Sequence, residues 1–217
     1  MDENRFPENI SAEQKTRKTN KKPIRDFFDV FEAIVLAVVA SVFIMTFLFK
    51  TGYVDGHSME STMSNGDRYF VSDLFYEPSR GDIIVFEPDL SGLNDSSEKL
   101  YVKRIIAVEG DHLQIKADDE NQYHVYLNGQ ILREEYLDDF QITKPALDIY
   151  NFAGFNFNDE NGNVCIDVTV PEGYVFVMGD NRLNSQDSRC IGFVDTRRIA
   201  GKVLLRFYPF NKFGTVS

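Results

Sequence analysis

One long apolar segment constrains this chain more than any other feature of its sequence. Between Val30 and Phe49, about 20 residues, Glu32 is the one charged residue, and it lies near the amino-terminal end, where it can reach lipid headgroups. As a helix, that length suffices to cross a hydrocarbon core of roughly 30 Å. A buried helix of a globular domain would be shorter and amphipathic, whereas this segment is apolar on all faces. We therefore expect a transmembrane anchor over residues 28–50.

The flanks of the apolar segment predict its orientation. A cleavable signal peptide would end in a small-residue cleavage site, but residues 50–53, Lys-Thr-Gly-Tyr, follow here. Basic residues crowd the amino-terminal side, which predicts a cytoplasmic tail over residues 1–27 and an extracytoplasmic remainder. The basic residues are Lys15, Arg17, Lys18, Lys21, Lys22 and Arg25.

Charge and cysteine content exclude several classes of protein. The net charge of −11 argues against a nucleic-acid binder, which needs clustered cations for phosphate contacts. Two cysteines do not form a disulfide framework, and we favour free thiols at Cys165 and Cys190, although pairing stays open. The cysteines and three scattered histidines show no metal-ligand spacing, so we expect no metal and no cofactor.

After residue 50 the pattern changes to short runs that favour strands, separated by turn signals. The Asn128-Gly129 pair between two apolar runs predicts a hairpin. We expect a mostly β, β-barrel-like catalytic domain over residues 51–217, with residues 133–163 as a small cap or insertion. The predicted strands cover residues 68–76, 81–88, 100–111, 112–117, 123–132, 164–170, 174–180 and 202–210.

Two sequence elements could supply a nucleophile and its base. Ser58 lies between flexible or small neighbours, where a tight turn could present its hydroxyl, although serine is also a common loop residue. On the strand over residues 100–108, alternate side chains share a face, so either Lys103 or Arg104 points toward apolar residues. A buried lysine has a lowered pKa and can act as a general base. An edge strand with both cations in solvent is the alternative.

A polar loop and the histidines complete the candidates. Residues 179–189 follow an apolar strand directly; Asp187 and Arg189 could pair there and Ser185 could orient an amine, although such loops are often plain surface turns. A Ser-His-Asp triad is the alternative to a lysine base. His57 adjoins Ser58, but neighbouring side chains on an extended segment diverge, and nothing in the sequence connects another histidine to Ser58.

Taken together, these elements resemble the type I signal peptidases, membrane-bound Ser/Lys proteases that remove signal peptides from exported preproteins. The resemblance covers Phe28 to about Tyr208, and its motifs occur in the family's order. The single anchor and short tail fit the Gram-positive bacterial type. The motifs are Ser58-Met59, Asn-Gly-Asp-Arg (65–68), Arg-Gly-Asp-Ile-Ile-Val-Phe (80–86), Tyr-Val-Lys-Arg-Ile-Ile (101–106) and Gly-Asp-Asn-Arg-Leu-Asn-Ser-Gln-Asp-Ser-Arg (179–189).

The resemblance implies a role for each matching residue. Ser58 would be the nucleophile, its own N–H would form part of the oxyanion hole, and Lys103 would be the general base. Ser185 would orient the Lys103 amine. The remaining implied roles are a supporting ion pair of Asp187 with Arg189, shaping of the site by Asp180 and Arg104, and packing of Met59 near the nucleophile and the membrane surface.

This chain departs from the family's pattern at two positions next to the nucleophile. Gly56 stands where some members have a serine that donates a second hydrogen bond to the oxyanion. Ser61 stands where the family usually has proline, which we expect to loosen the turn without removing a catalytic group. The loop over residues 87–99 is also longer than in compact members.

The sequence therefore predicts a monomeric membrane protease that cleaves preproteins after small residues at −3 and −1, with signal peptides and the lipid bilayer as partners. A self-cleaving Ser/Lys protease of the SOS-repressor type is a rival, but that group lacks an anchor. The other rival is a non-catalytic, membrane-tethered assembly factor, against which the retention of both Ser58 and Lys103 argues.

Overall fold

A computed structural model describes residues 22–48, 50–89, 99–118, 120, 122–137, 155–160 and 162–216. Contacts divide the chain into two units, Met1–Phe47 and Leu48–Ser217. Most of the described first unit belongs to one helix, α1 (Lys22–Leu48), whose described side chains over residues 25–43 are all exposed. Among the described residues, no helix meets the length and apolarity needed to cross a membrane. The side chains of residues 44–49, the end of the predicted anchor, lie outside the described part.

The second unit is mostly β, which confirms that part of the predicted fold class. A seven-stranded antiparallel sheet has the order β1-β2-β12-β3-β4-β10-β11. Its strands are β1 (Lys50–Tyr53), β2 (Arg68–Ser72), β3 (Ile83–Phe86), β4 (Tyr101–Val108), β10 (Tyr174–Met178), β11 (Val194–Asp195) and β12 (Ile199–Tyr208). Closure of this core into a barrel stays a prediction.

A second antiparallel sheet has the order β7-β6-β5-β9-β8. Asn128 and Gly129 have φ of +52° and +81°, the left-handed geometry that a two-residue hairpin between β6 and β7 requires. The predicted Asn-Gly hairpin is therefore confirmed. The strands of this sheet are β5 (His112–Ala117), β6 (Tyr123–Leu127), β7 (Gln130–Ile131), β8 (Asn156–Asn158) and β9 (Val164–Thr169).

All eight predicted strand regions contain a strand, but some bounds were too wide. The run predicted over 68–76 ends at Ser72, because Phe75 has φ of +51° and the chain turns there. β1, β8 and β11 were missed, as was a short helix, α2 (Ser188–Ile191), inside the predicted polar loop. These elements have two to four residues, too few for a periodic pattern to appear in the sequence.

The core consists of three apolar clusters, and the candidate site lies among them. Both Ile105 and Ile106 of β4 are buried, but they belong to different clusters, so β4 is covered on both faces. A strand covered on both faces must bury every polar side chain it carries, which places Lys103 and Arg104 inside the fold.

The predicted insertion over residues 133–163 is described only at its ends. Residues 138–154 and 161 lie outside the described part. Residues 156–158 form β8, an edge strand of the five-stranded sheet that pairs with β9. Residues 133–137 follow β7 and approach the buried polar residues described next. Both cysteines are free: Cys165 is buried in β9 and Cys190 is partly buried in α2.

Candidate active site

The centre of the site is a direct contact between Ser58 and Lys103. The Lys103 Nζ lies 2.8 Å from the Ser58 Oγ and donates a second hydrogen bond of 3.0 Å to the carbonyl oxygen of Val102. The ring of Tyr101 lies on the same face of β4, with its centroid 5.1 Å from the ammonium nitrogen. The sequence left open which cation points toward apolar residues; both Lys103 and Arg104 are buried, on opposite faces.

Burial changes the protonation of Lys103. Its side chain is only 4% exposed, and the loss of hydration lowers its pKa from 10.5 to about 8. The charges of Asp187 and Asp180 oppose this shift, and the charge of Arg189 assists it. A substantial fraction of the amine is therefore neutral slightly above neutral pH, and a neutral amine at 2.8 Å can accept the Ser58 hydroxyl proton.

Apolar packing and hydrogen bonds from Asn181 both fix the turn that carries Ser58. Met59 and Met63 are 1% and 0% exposed and pack in an apolar cluster, and the Met63 N–H donates to the Met59 carbonyl at 2.8 Å. The Asn181 backbone N–H donates to the Ser58 carbonyl at 3.0 Å, and the Asn181 side-chain amide donates to the His57 carbonyl at 3.0 Å. Met59 therefore acts as a buried anchor of the turn.

Gly179 allows the polar loop to approach this turn closely. A Cβ built at residue 179 would collide with the Ser58 carbonyl oxygen and the Ser185 hydroxyl. Only glycine lets the two backbone segments come together here. The Gly179 N–H donates to a carboxylate oxygen of Asp187 at 3.0 Å, which fixes the start of the loop.

The predicted pair of Asp187 and Arg189 forms, and its geometry explains why both residues are buried. The Arg189 Nε and Nη2 lie 2.9 and 2.8 Å from the two carboxylate oxygens of Asp187. Asp187 is also the N-cap of α2, because its carboxylate accepts a hydrogen bond from the Arg189 backbone N–H. Burial alone would raise the pKa of Asp187, but the charge and hydrogen bonds of Arg189 outweigh it and lower the pKa. Asp187 therefore stays an anion near Lys103.

Asp180 and Arg104 form a second buried pair behind the dyad. The Arg104 Nε and Nη2 lie 2.9 and 2.8 Å from the two Asp180 oxygens, and Arg104 Nη1 donates to the Gly81 carbonyl at 2.9 Å. The Thr62 hydroxyl donates to Asp180 at 2.5 Å. Because Arg104 follows Lys103 in β4 and Thr62 follows the Ser58 turn, this pair joins the base strand to the nucleophile turn.

Ser185 lies in the site without the hydrogen bond expected of it. Its hydroxyl oxygen is buried, and no partner among the described residues meets hydrogen-bond geometry with it, although it lies close enough to Asp187 to help lower that pKa. Lys103 Nζ donates to Ser58 and Val102. The orienting role of Ser185 toward Lys103 therefore stays a prediction.

The histidines pair with carboxylates away from Ser58. His57 contacts Glu60, His112 lies 2.6 Å from Asp167, and His124 lies 2.9 Å from Asp118. All three histidines are within the described part of the chain, and none of them hydrogen-bonds Ser58. The geometry therefore favours the lysine as base over a Ser-His-Asp triad.

The backbone around Ser58 supplies one donor for an oxyanion. Among the described residues, no acceptor is bonded to the Ser58 N–H, whereas the Gly56 N–H already donates to the Asn65 side chain at 3.0 Å. Gly56 has φ of +118°, a backbone conformation that favours glycine. A developing oxyanion near Ser58 Oγ could therefore bind the Ser58 N–H.

Sequence reasoning missed several residues that hold the site together. Asn181 and Thr62 were not singled out because a single amide or hydroxyl in a loop carries no pattern of its own. Asn181 lies within the 179–189 motif, so the motif itself was a usable signal. Three further residues, Glu134, Tyr136 and Arg182, form buried contacts beside Arg104.

Comparison with known proteins identifies the family to which this chain is similar. The family model described as signal peptidase, peptidase S26, matches residues 27–208. A signal peptidase I from Bacillus licheniformis is 36% identical over 200 residues, which cover 90% of this chain and 95% of that protein. Signal peptidase I T from Bacillus subtilis (strain 168) is 35% identical over 201 residues, covering 91% and 93%.

Two further matches have lower sequence identity. A probable signal peptidase I-2 from Synechocystis is 30% identical over 213 residues, covering 97% of this chain and 86% of that protein. Among solved structures, a signal peptidase I from Enterococcus faecalis is 27% identical, covers 58% of this chain and 97% of its own, and has a TM-score of 0.39.

Proposed function

This chain belongs to the signal peptidase family, peptidase S26, and is a serine endopeptidase that removes signal peptides from preproteins, and we propose that Ser58 is its nucleophile and Lys103 its general base. The observation that carries the proposal is the 2.8 Å contact between the Lys103 Nζ and the Ser58 Oγ inside a buried site. A serine hydroxyl needs such a base to attack a peptide carbonyl.

The proposed mechanism uses only groups of this chain, the peptide and water. Neutral Lys103 accepts the Ser58 proton while Ser58 Oγ attacks the scissile carbonyl, and the Ser58 N–H donates to the oxyanion. Lys103 then protonates the leaving amine, which departs and leaves an acyl-enzyme ester. Water, deprotonated by Lys103, attacks that ester and releases the carboxylate product with Ser58 restored.

Two buried ion pairs next to the dyad support this chemistry, Asp187 with Arg189 and Asp180 with Arg104. The Arg104–Asp180 pair joins β4 to the loop, the Asp187–Arg189 pair fixes the loop internally, and each pair satisfies the charges it buries. Ser185 is proposed to donate to Lys103 when the amine is neutral, since its hydroxyl is buried beside the loop.

Cleavage after small residues at −3 and −1 belongs to the same proposal. The Tyr101 ring lies beside the Lys103 amine, and the Tyr101 hydroxyl donates to the Gln186 side chain at 2.9 Å, which fixes the ring. We propose that this fixed aromatic ring next to the dyad admits only a small side chain on the residue whose carbonyl Ser58 attacks.

We also propose that residues 28–50 anchor the enzyme, with residues 1–27 in the cytoplasm and residues 51–217 outside. Support comes from the apolar sequence, the basic tail and the exposed apolar side chains of α1, such as Phe28 at 60% and Phe43 at 60%. Retention in the membrane after alkaline extraction would support the anchor, and release would contradict it. The barrel-like core and the monomeric state stay predictions.

The experiment that tests the dyad is cleavage of a peptide with alanine at −3 and −1 by the detergent-solubilised enzyme and its Ser58→Ala variant. We expect Ser58→Ala to lose at least about 10⁴-fold in kcat/KM with an unchanged melting temperature, since the hydroxyl is the attacking group. Near-normal cleavage by the folded variant would overturn the assignment. Absence of cleavage by the wild type would favour the assembly-factor alternative, which the family comparisons do not favour.

A further inference from the structure

A short segment that the mechanism does not use crosses the back of the active site. This segment, residues 133–137, follows β7 and is called the strap below. Glu134 and Tyr136 make three contacts around the Ser58–Lys103 pair. The contacts reach the 179–182 loop, the strand β4 and the nucleophile turn.

The first contact joins the strap to the loop that grips the nucleophile turn. The Glu134 carboxylate accepts a hydrogen bond of 2.8 Å from Arg182 Nη1 and also forms a salt bridge with Arg182 Nη2. The Arg182 side chain is fully buried, and its Nε donates to the Gly179 carbonyl at 3.1 Å. Gly179 in turn lies against the Ser58 carbonyl. Glu134 therefore neutralises the buried cation that fixes Gly179.

The second contact joins the strap to the strand that carries the base. The Tyr136 ring lies flat against the Arg104 guanidinium, whose central carbon is 3.8 Å from the ring centroid. At that distance a cation and a ring attract each other strongly, since both are shielded from water. Arg104 is the residue after Lys103, so the ring limits the movement of β4 at the position of the base.

The third contact joins the strap to the nucleophile turn itself. The Ser61 hydroxyl donates to the Tyr136 carbonyl at 3.0 Å, three residues after Ser58. Ser61 has φ of +82°, which proline cannot adopt. The substitution of serine for the family's usual proline was expected to loosen the turn. Instead, the serine supplies a hydroxyl that ties the turn to the strap.

We propose that the strap is a positioning element of this peptidase: Glu134 and Tyr136 hold the nucleophile turn, the base strand and the 179–182 loop in one arrangement, so that Ser58 and Lys103 stay within hydrogen-bonding distance. The residues touch neither the peptide nor the dyad directly. The proposal rests on the assignment of Ser58 and Lys103 and extends it to a segment far away in sequence.

The physical reason is that, among the described residues, one direct bond joins the two side chains of the dyad, the contact between Lys103 Nζ and Ser58 Oγ. The contacts of Arg104 and Thr62 with Asp180 join the base strand to the nucleophile turn only indirectly. Ser58 and Lys103 lie 45 residues apart, on a turn and a strand that could shift relative to each other. A misplacement of about 1 Å costs on the order of 100-fold in rate. The strap contacts both elements and the loop between them, so it limits such shifts from a single side.

The test compares Glu134→Gln and Tyr136→Leu with wild type on the alanine-containing peptide. We expect kcat to fall about 10- to 100-fold while KM changes less than about threefold, because the strap acts on alignment and not on peptide binding. Tyr136→Phe keeps the ring against Arg104 and should recover most of the activity lost in Tyr136→Leu. Glu135→Gln is the matched control, since Glu135 is exposed, and it should behave as wild type.

A pH profile separates positioning from simple loss of folded protein. Lys103 is faced by Asp187, Asp180 and Arg189, and its burial keeps its pKa low. A loosened site admits water, so the acid limb of the pH profile should move up by about half to one unit in Glu134→Gln. A variant that is only less stable would lose amplitude in proportion to its unfolded fraction, with the limb unmoved, and that result would overturn the proposal.

A double-mutant cycle gives an independent check. If Ser61→Ala and Glu134→Gln disturb the same placement of Ser58, their combined effect on kcat should be smaller than the product of the single effects. Independent, multiplying effects would contradict a shared role. Failure of the dyad itself is distinguishable, because then Ser58→Ala would stay active. Wild-type kinetics in Glu134→Gln and Tyr136→Leu with an inactive Ser58→Ala would overturn the strap alone.

Discussion

The five-stranded sheet and the seven-stranded sheet contain similar strands, but they place ionisable side chains differently. In the five-stranded sheet, the contact between His112 and Asp167 is exposed to solvent, with side-chain exposures of 44% and 39%. In the seven-stranded sheet, the pair of Arg104 and Asp180 is buried, with exposures of 2% and 0%. Since buried ion pairs contribute little net stability compared with apolar residues, a fold gains little from them. This difference is the one expected if the buried pair serves the proposed active site and not stability.

Two lysines sharpen this comparison because each lies over a tyrosine ring on a central strand. Lys103 lies over Tyr101 and is buried, whereas Lys116 of β5 lies over Tyr126 and is partly exposed. We expect Lys103→Ala to lose at least about 10⁴-fold in kcat/KM, because the base is removed, and Lys116→Ala to stay within about twofold of wild type. Peptide cleavage measures both variants. A similar loss in both would erase the distinction between the sheets.

A second test of the difference between the sheets replaces one aspartate near each sheet by asparagine. Asp187→Asn leaves Arg189 as a buried charge without its anion, which we expect to destabilise the protein by about 3–5 kcal/mol. Asp167→Asn removes an exposed anion and should cost less than about 1 kcal/mol. Thermal or urea unfolding of both variants measures the difference. Equal losses would show that burial of the Asp187–Arg189 pair has no energetic consequence.

The third prediction concerns the close approach of two backbone segments. Gly179→Ala introduces a methyl group that collides with the Ser58 carbonyl and the Ser185 hydroxyl. We expect the nucleophile turn to be displaced and kcat to fall about 100-fold, with a smaller change in KM. Peptide cleavage by the folded variant is the measurement. Unchanged kinetics would mean that the loop can move away without affecting Ser58.

The smallest effect is a dependence on pH. Burial lowers the pKa of Lys103 to about 8, so protonation below that pH removes the base and activity should fall about tenfold per pH unit on the acid side. The profile of kcat/KM against pH measures this limb. His124→Gln should leave the limb unchanged, because His124 pairs with Asp118 in the other sheet. A limb that disappears in that variant would assign the titration to histidine.

Sequence patterns predicted most of the strands, and the resemblance to a known family predicted the dyad. Alternation along residues 100–108 predicted a strand and left open whether one cation points inward or both lie in solvent. The structure shows that both faces of β4 are covered, so both cations are buried. A covering layer depends on which strands pair, and pairing is not visible in a single strand. The family motifs supplied Asp187 and Arg189, and the structure adds that Asp187 also caps α2.

The contacts that could not be predicted join residues distant in the chain. Tyr136 binds Ser61 across 75 positions, and Glu134 binds Arg182 across 48. None of these four residues belongs to a periodic pattern, and Ser61 was expected to weaken its turn. Ser61 has φ of +82°, and its hydroxyl bonds a residue 75 positions away, which local sequence cannot show.

The hydrogen bonds from Asn181 to the nucleophile turn have a consequence for synthesis of the protein. Asn181 reaches back 124 residues to bond the His57 carbonyl, and the next bond, to Ser58, comes from the same residue. A chain that has emerged only as far as β9 has its serine and its lysine but lacks the loop that sets their positions. We therefore expect proteolytic competence to require synthesis of the 179–189 loop, which follows both Ser58 and Lys103 in the chain.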